Sequence, residues 1–447
     1  MKQSTQFRLL MRIALPLMAG NLVQTLYNLT DTFFLGKLGK AELSAPTIAF
    51  PIIFFLILFG IGFSLAGTTL IAQSKGSGND ERVDFYVGQT SSLMILTSFI
   101  LCVIGILLSK PLLILLRTPD NVFAFTLDYM NIIFAGLPFM FGFLILQSTM
   151  QGIGKTMVPL VLQVFTVVLN IALDPLLIFG IGPFPAMSVR GAALATVIAR
   201  AIGSVIAFIL LIQGRYGLRL RKEHMKLDRK SVALFLRIGL PSSFGQAVAA
   251  LGFTVLQGIV NSFGTAVIAA FGVGNRLISL FNMPAMGISR ATTTLVGQNL
   301  GAREVENAKE AILLSILSTQ AFLIPCMTLV FFYGSEFVRF FVDDPETIQY
   351  GAELFRIVAP SVVLFGLFHA AIGALQGAGD TRPVMYLNIL RLWGLRIPVV
   401  YFLAYAVGMG PASIWWGMFV SNMITAIFAI IYLLKGKWIT ALNPGDI

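Results

Sequence analysis

The chain has 447 residues, 57% of them hydrophobic and 11% charged, and its mean hydropathy is +0.87. Soluble domains carry roughly 25% charged residues, so this composition excludes a soluble globular protein and calls for a polytopic membrane protein. The net charge of +11 would suit nucleic acid, but much of it falls in Arg215–Arg237, where Arg and Lys outnumber Glu223 and Asp228, and near the termini. Basic loops beside membrane spans orient a protein with those loops in the cytoplasm, so topology rather than nucleic acid explains the charge.

In chain order, apolar runs broken by Gly, Pro and charge clusters predict twelve membrane helices. Six lie near 8–35, 45–73, 87–109, 122–149, 157–180 and 190–213. Six more lie near 231–260, 268–297, 311–333, 347–374, 383–408 and 411–434. The first begins after Lys2, Arg8 and Arg12, much as a signal peptide does. No small-residue cleavage site follows, so it is expected to stay as a membrane helix. An even number of spans puts both termini on one side, and the basic stretch at 214–230 together with Lys435 and Lys437 makes that side cytoplasmic. The fold expected is all-α, with two pseudo-symmetric six-helix lobes at 1–214 and 231–447 joined by a basic linker at 215–230.

The two lobes follow from an internal duplication. Residues 12–76 align without a gap on 237–301, a constant shift of 225 with 19 identities in 65 positions. Arg12-Ile13-Ala14-Leu15-Pro16 meets Arg237-Ile238-Gly239-Leu240-Pro241, and Gln151-Gly152-Ile153-Gly154 meets Gln376-Gly377-Ala378-Gly379. Six helices per copy insert both copies the same way up, and a cleft between two such lobes is the expected transport path. A single chain holds both lobes, so a monomer suffices.

Against this background a few polar residues stand out. Asp31 lies inside the first apolar run, and a carboxylate inside a bilayer costs roughly 2.5–3.5 kcal/mol, so it should face a polar cavity and carry function. Pro16 removes a helical hydrogen bond upstream and marks a hinge. Tyr27 sits four residues before Asp31, on the same face. In the fifth helix Asn170 and Asp174 are spaced i, i+4, with Pro175 following. In the sixth, Thr196 lies in a small-residue segment, Gly191-Ala192-Ala193-Leu194-Ala195-Thr196, that permits close packing. Asp31 aligns with Leu256, and no acid lies opposite Asp174 in the second copy, so both acids look like functional additions to one lobe. Asp31, Asn170, Asp174 and Thr196 form an all-oxygen set that could hold a sodium ion, and two neighbouring acids can equally share a proton.

Other chemistry finds less support. Arg396 lies deep in the eleventh helix as an inward-facing charge, with Arg391 nearer its start, and His369 is a candidate proton carrier in the tenth. Cys102 and Cys326 fall in apolar segments and offer no disulfide framework, and His224 and His369 are too far apart to suggest a metal site. Gly377-Ala378-Gly379-Asp380 spells the GxGD of intramembrane aspartyl proteases, but its repeat mate carries Lys155 at the acid position, so a helix cap is expected. No P-loop pattern is present, so neither an enzyme nor direct ATP coupling is expected.

The two six-helix repeats, the Pro16…Asp31 helix, the Asn170…Asp174 helix and the Gly191…Thr196 segment together resemble the multidrug and toxic compound extrusion (MATE) family over essentially the whole chain. Within it the resemblance is nearest to the DNA-damage-inducible protein F (DinF) branch, whose N-lobe cavity carries this acid set. The resemblance implies a secondary active antiporter of a prokaryotic inner membrane, free of cofactors. It would exchange inward-moving protons or sodium for amphipathic, often cationic compounds. It also implies coupling at Asp31, Asp174, Asn170 and Thr196, a cavity that includes Tyr27 and Arg396, and bending at Pro16. The alternative within the same superfamily is a flippase for lipid-linked precursors, for which Arg391 and Arg396 are the only candidates for a basic cavity.

Overall fold

The computed structural model describes residues 2–442, with side chains from residue 5. The first half consists of α1 (Lys2–Gly36), α2 (Lys40–Gly76), α3 (Asp80–Leu115), α4 (Asp120–Ala135), α5 (Leu137–Gly152), α6 (Met157–Phe179) and α7 (Ser188–Gln213). The second half consists of α8 (Arg229–Asn261), α9 (Thr265–Gly301), α10 (Val305–Arg339), α11 (Pro345–Gly377), α12 (Thr381–Ile389), α13 (Ile397–Tyr401) and α14 (Ala412–Leu434). Two π-helical segments, Leu390–Arg396 and Phe402–Ala406, flank α13 and make 381–406 one continuous span.

Among the described residues eleven helices are long and apolar enough to cross a membrane, and α4 with α5, meeting at a bend of 47°, completes the twelve expected. The break falls at Gly136, inside the stretch that the apolar pattern read as one straight helix. Leu107, Leu115 and Leu434 are 69%, 76% and 81% exposed, which suits hydrocarbon rather than water. The helical backbone satisfies its own polar groups, as lipid demands.

The helices pack as two units. One holds residues 19–243, and the other holds the chain up to Met18 together with Phe244 onward. Helix α1 therefore changes unit between Met18 and Ala19, and α8 between Ser243 and Phe244. Each handover lies two residues beyond a helix-interior proline, Pro16 or Pro241. Both chain ends, expected on the cytoplasmic side, lie outside the described residues.

Each unit repeats the other's internal bonds 225 residues away. Ser64 Oγ donates to the Leu144 carbonyl at 3.4 Å, and Ser289 Oγ to the His369 carbonyl at 2.6 Å. Thr68 Oγ1 donates to the Ser148 carbonyl at 3.3 Å, and Thr293 Oγ1 to the Gly373 carbonyl at 3.1 Å. The Gly-rich turns agree as well: Gly154 and Gly379 take left-handed conformations with φ of 78° and 80°. Asp380 follows Gly379 at the N-cap position of α12, but its side chain makes no capping hydrogen bond and instead accepts from the Tyr432 hydroxyl at 2.7 Å.

The basic stretch is laid along α3. Gln89 Nε2 donates to the carbonyls of His224 and Lys226, both at 2.8 Å, and Gln89 Oε1 accepts from Asp228 N–H at 3.0 Å. Asp84 accepts the Arg219 backbone N–H at 2.6 Å and pairs with Arg221 at 3.2 Å. Residues 215–243 accordingly group with 19–214.

Candidate functional site

Within the unit formed by residues 19–243, three helices bring polar groups together. Helix α7 comes close to α6 because its facing residues are small: a β-carbon at Gly191 would lie 2.4 Å from the Leu177 carbonyl oxygen, so only glycine fits. That approach sets Thr196 against the face of α6 that carries Asn170 and Asp174. All three are buried, with Asn170 and Asp174 fully inaccessible. Asp31 enters from α1, five residues before its end at Gly36, and remains half-buried. Since Asp174 is likewise five residues from the end of α6, the site lies about a turn and a half inside one end of the bundle.

The geometry joins all four expected ligands. The Asp31 carboxyl is within hydrogen-bonding reach of both Asp174 and Tyr27. Asn170 Nδ2 donates to Asp174 Oδ1 at 3.4 Å. With the amide turned the other way, its nitrogen lies 3.0 Å from Asp31 Oδ1 and 3.3 Å from Asp174 Oδ2. In that orientation both ends of the amide are satisfied: its nitrogen is a donor shared by the two carboxylates, and its oxygen accepts from the Thr196 backbone N–H at 3.3 Å.

Tyr27 contributes differently from its sequence position alone. Besides reaching Asp31, its hydroxyl lies 2.7 Å from Thr196 Oγ1, so it links α1 to α7. The group also includes residues that the sequence reading passed over. Arg200, four residues after Thr196, places its guanidinium 5.5 Å from the centre of the Tyr27 ring and 5.4 Å from that of Phe143. Its Nη2 donates to Gln24 Oε1 at 3.2 Å, and its charge acts on Asp31. Gln163 Nε2 ties α6 to α1 by donating to the Gly20 carbonyl at 3.1 Å. An arginine midway along the apolar run 188–213, spaced i+4 from Thr196, was the available signal for Arg200. Among the described residues no group of three His, Cys, Asp or Glu side chains could hold a metal ion; carboxylates, an amide oxygen and a hydroxyl instead suit a monovalent cation or a proton.

Arg396, Arg391 and His369 belong to the other unit. Arg396 is 5% exposed, and it donates from Nε to Ser421 Oγ at 2.9 Å and from Nη2 to Asn422 Oδ1 at 2.7 Å. Arg391 lies with its guanidinium 4.6 Å from the Phe365 ring centre. His369 packs its ring edge-on against Phe365 at 4.7 Å.

Comparison with known proteins supplies an independent finding. A family described as MatE matches residues 16–176 and 241–402, one segment in each repeat. The chain is 29% identical over 423 residues to "Probable multidrug resistance protein YoeA" of Bacillus subtilis, covering 94% of this chain and 90% of that one. It is 28% identical over 429 residues to "Probable multidrug resistance protein NorM" of Thermotoga maritima, covering 96% and 92%. A solved structure described as "Crystal structure of MATE in the bent conformation" superposes with a TM-score of 0.91 at 22% identity, covering 100% of this chain and 99% of that one. At that identity the superposition establishes the fold.

Proposed function

The chain belongs to the MatE family, and from that premise we propose that it is a secondary active exporter of amphipathic, often cationic compounds, driven by inward movement of a cation. As a member it is a multi-pass membrane transporter and not an enzyme. The relatives named as multidrug resistance proteins support small compounds of varied structure as the cargo.

The observation that carries the coupling mechanism is the reach of the Asn170 amide to both Asp31 and Asp174. Two carboxylates and the neighbouring Arg200 leave one negative charge uncompensated. One proton or one sodium ion balances it, and so does one monocationic substrate. Exclusive occupancy by either is all that antiport requires: the cation must leave before the substrate binds, and the reverse. Asp31, Asn170, Asp174 and Thr196 are the cation ligands, Tyr27 holds α1 to α7, and Pro16 is the point at which α1 bends. The transporter works as a monomer by alternating access in a prokaryotic cytoplasmic membrane, with both termini inside.

The test is dye export from proteoliposomes under a proton gradient and a sodium gradient imposed separately, with wild type beside Asp31→Asn. One gradient should drive export, and the variant should abolish it while still binding dye. Coupled export that survives in folded Asp31→Asn would refute the mechanism.

A further inference from the structure

The shift of 225 residues maps the acid site onto its counterpart in the other unit. Helix α6, which carries Asn170 and Asp174, corresponds to the span 381–406, and Thr196 corresponds to Ser421. The ligand chemistry is inverted there. Val399 stands opposite Asp174, while Arg391 and Arg396 enter the same helix, and Arg396 bonds to Ser421, the mate of Thr196.

The helix is built to present both arginines together. In an α-helix, residues five apart point about 140° away from one another. The segment Leu390–Arg396 is instead π-helical, closed by the Ile397 N–H bonding to the Leu392 carbonyl five residues back. Such a turn brings residue i+5 back over residue i, and π turns tend to mark functional sites. Helix α6, its repeat mate, is regular. Arg391 and Arg396 thus share a face and act on one another electrostatically, as Arg391 does on His369.

Among the described residues no carboxylate pairs with either of them. The hydrogen bonds of Arg396 there go to the neutral Ser421 and Asn422, and Asn422 turns its own amide to Ser361 Oγ at 3.1 Å. A guanidinium has five donors, so three of those on Arg396 remain for another partner. Arg391 rests on Phe365 and on Phe368, the repeat mate of the Phe143 under Arg200. Its buried Nε has no hydrogen-bond partner among the described residues. Arginine stays charged, and a buried charge without a counterion costs several kcal/mol. Two such groups on one face match the forked geometry that binds phosphate oxygens.

We propose that Arg391 and Arg396 form an anion site for a phosphate group, carried either by a soluble aromatic phosphate ester stacked near Phe365 or by a lipid headgroup. The site is independent of the cation-coupling reading, because its occupancy needs no gradient.

The experiment measures binding to the full-length protein purified in neutral detergent. Riboflavin 5′-phosphate and riboflavin, which differ by one phosphate, are compared by fluorescence anisotropy. In parallel, retention of phosphatidic acid over diacylglycerol, which likewise differ by one phosphate, is read by native mass spectrometry. The expected result is at least a tenfold preference for the phosphate-bearing member of one pair, lost in both Arg391→Gln and Arg396→Gln. The first pair responding identifies a soluble ester, and the second a headgroup. Arg276→Gln, an exposed arginine of the same unit, should change neither. Arg391→Gln removes no hydrogen bond from the fold, and Arg396→Lys should recover part of the preference where a purely structural arginine would not. No phosphate preference in either pair, or a preference that survives both glutamine variants, overturns the proposal.

Discussion

Tyr27 Oη and Thr196 Oγ1 lie 2.7 Å apart although 169 residues separate them in the chain. The bond holds α1 against α7, and in the proposed mechanism a bound cation competes for the Thr196 hydroxyl. A net hydrogen bond of this kind is worth about 1 kcal/mol, which is about fivefold in an equilibrium constant. Tyr27→Phe should therefore shift the ion concentration for half-maximal dye export by about fivefold in either direction. An unchanged midpoint would show that the pair has no part in cation binding.

In the proposed mechanism Arg200 sets the charge balance. With Arg200→Gln the site holds two carboxylates and no cation of its own, so a second monovalent ion should be needed for each cycle. The ion-to-dye stoichiometry, read at static head in proteoliposomes, should rise from one to two. A ratio that stays at one would remove Arg200 from the coupling arrangement.

Gly191 is required by packing. A β-carbon there meets the Leu177 carbonyl oxygen at 2.4 Å, and backbone cannot step aside as a flexible side chain would. Gly191→Ala should destabilise the protein by about 1–3 kcal/mol. It should also separate Thr196 from Asn170, lowering both melting temperature and coupled export. Gly272→Ala, where a β-carbon would meet nothing within 4 Å and the backbone is ordinary helix, should leave coupled export intact.

Asp228 immediately precedes α8, accepts from its first turn and fastens the end of the basic stretch. The Ser231 backbone N–H, 2.9 Å away, holds its carboxyl below the usual carboxylate range, and the Ser231 hydroxyl adds to this. The value in the folded protein lies below that in the unfolded chain. The stability it contributes is therefore fully present at neutral pH and fades only as pH falls through the depressed value. Hydrogen exchange of residues 222–231 should be flat from about pH 8 down to about pH 5 after correction for intrinsic rates, and protection should drop below about pH 4. Asp228→Asn keeps an acceptor for the cap but does not titrate, so it should flatten the acid limb.

Pro16 and Pro241 each precede a change of packing unit by two residues. Neither has an N–H to bond the carbonyl four residues back. Pro16→Ala and Pro241→Ala should leave dye binding within about twofold, since neither residue belongs to the acid site. Each should slow gradient-driven export by stiffening its helix. Export at the wild-type rate in both variants would refute the hinge.

Much of this molecule is legible in one dimension. Lipid permits only backbone that satisfies itself, so hydropathy and punctuation suffice to find the helices. The constant shift of 225 residues announces the duplication, and an acid present in one copy only is conspicuous in an apolar chain. Asp31, Asn170 and Asp174 were identifiable because charge and i, i+4 spacing are local properties. The bend at Gly136 and the π turns at 390–396 were not, because the apolar pattern tolerates a local bend or an added residue in a turn without changing its overall character.

What tertiary structure decided is which distant groups meet. Arg200 reads as an isolated charge until α7 packs on α6 through Gly191 and places it over Tyr27. The handover of α1 between units at Met18 and Ala19 depends on long-range packing that no local pattern encodes. Arg391 and Arg396 would point apart on an ordinary helix, and only the observed winding puts them on one face. The sequence by itself determined composition, span number and repeat, because those depend on transfer to lipid residue by residue. The site's charge balance in each unit is a property of pairs of residues, and only folding brings the members of each pair within reach.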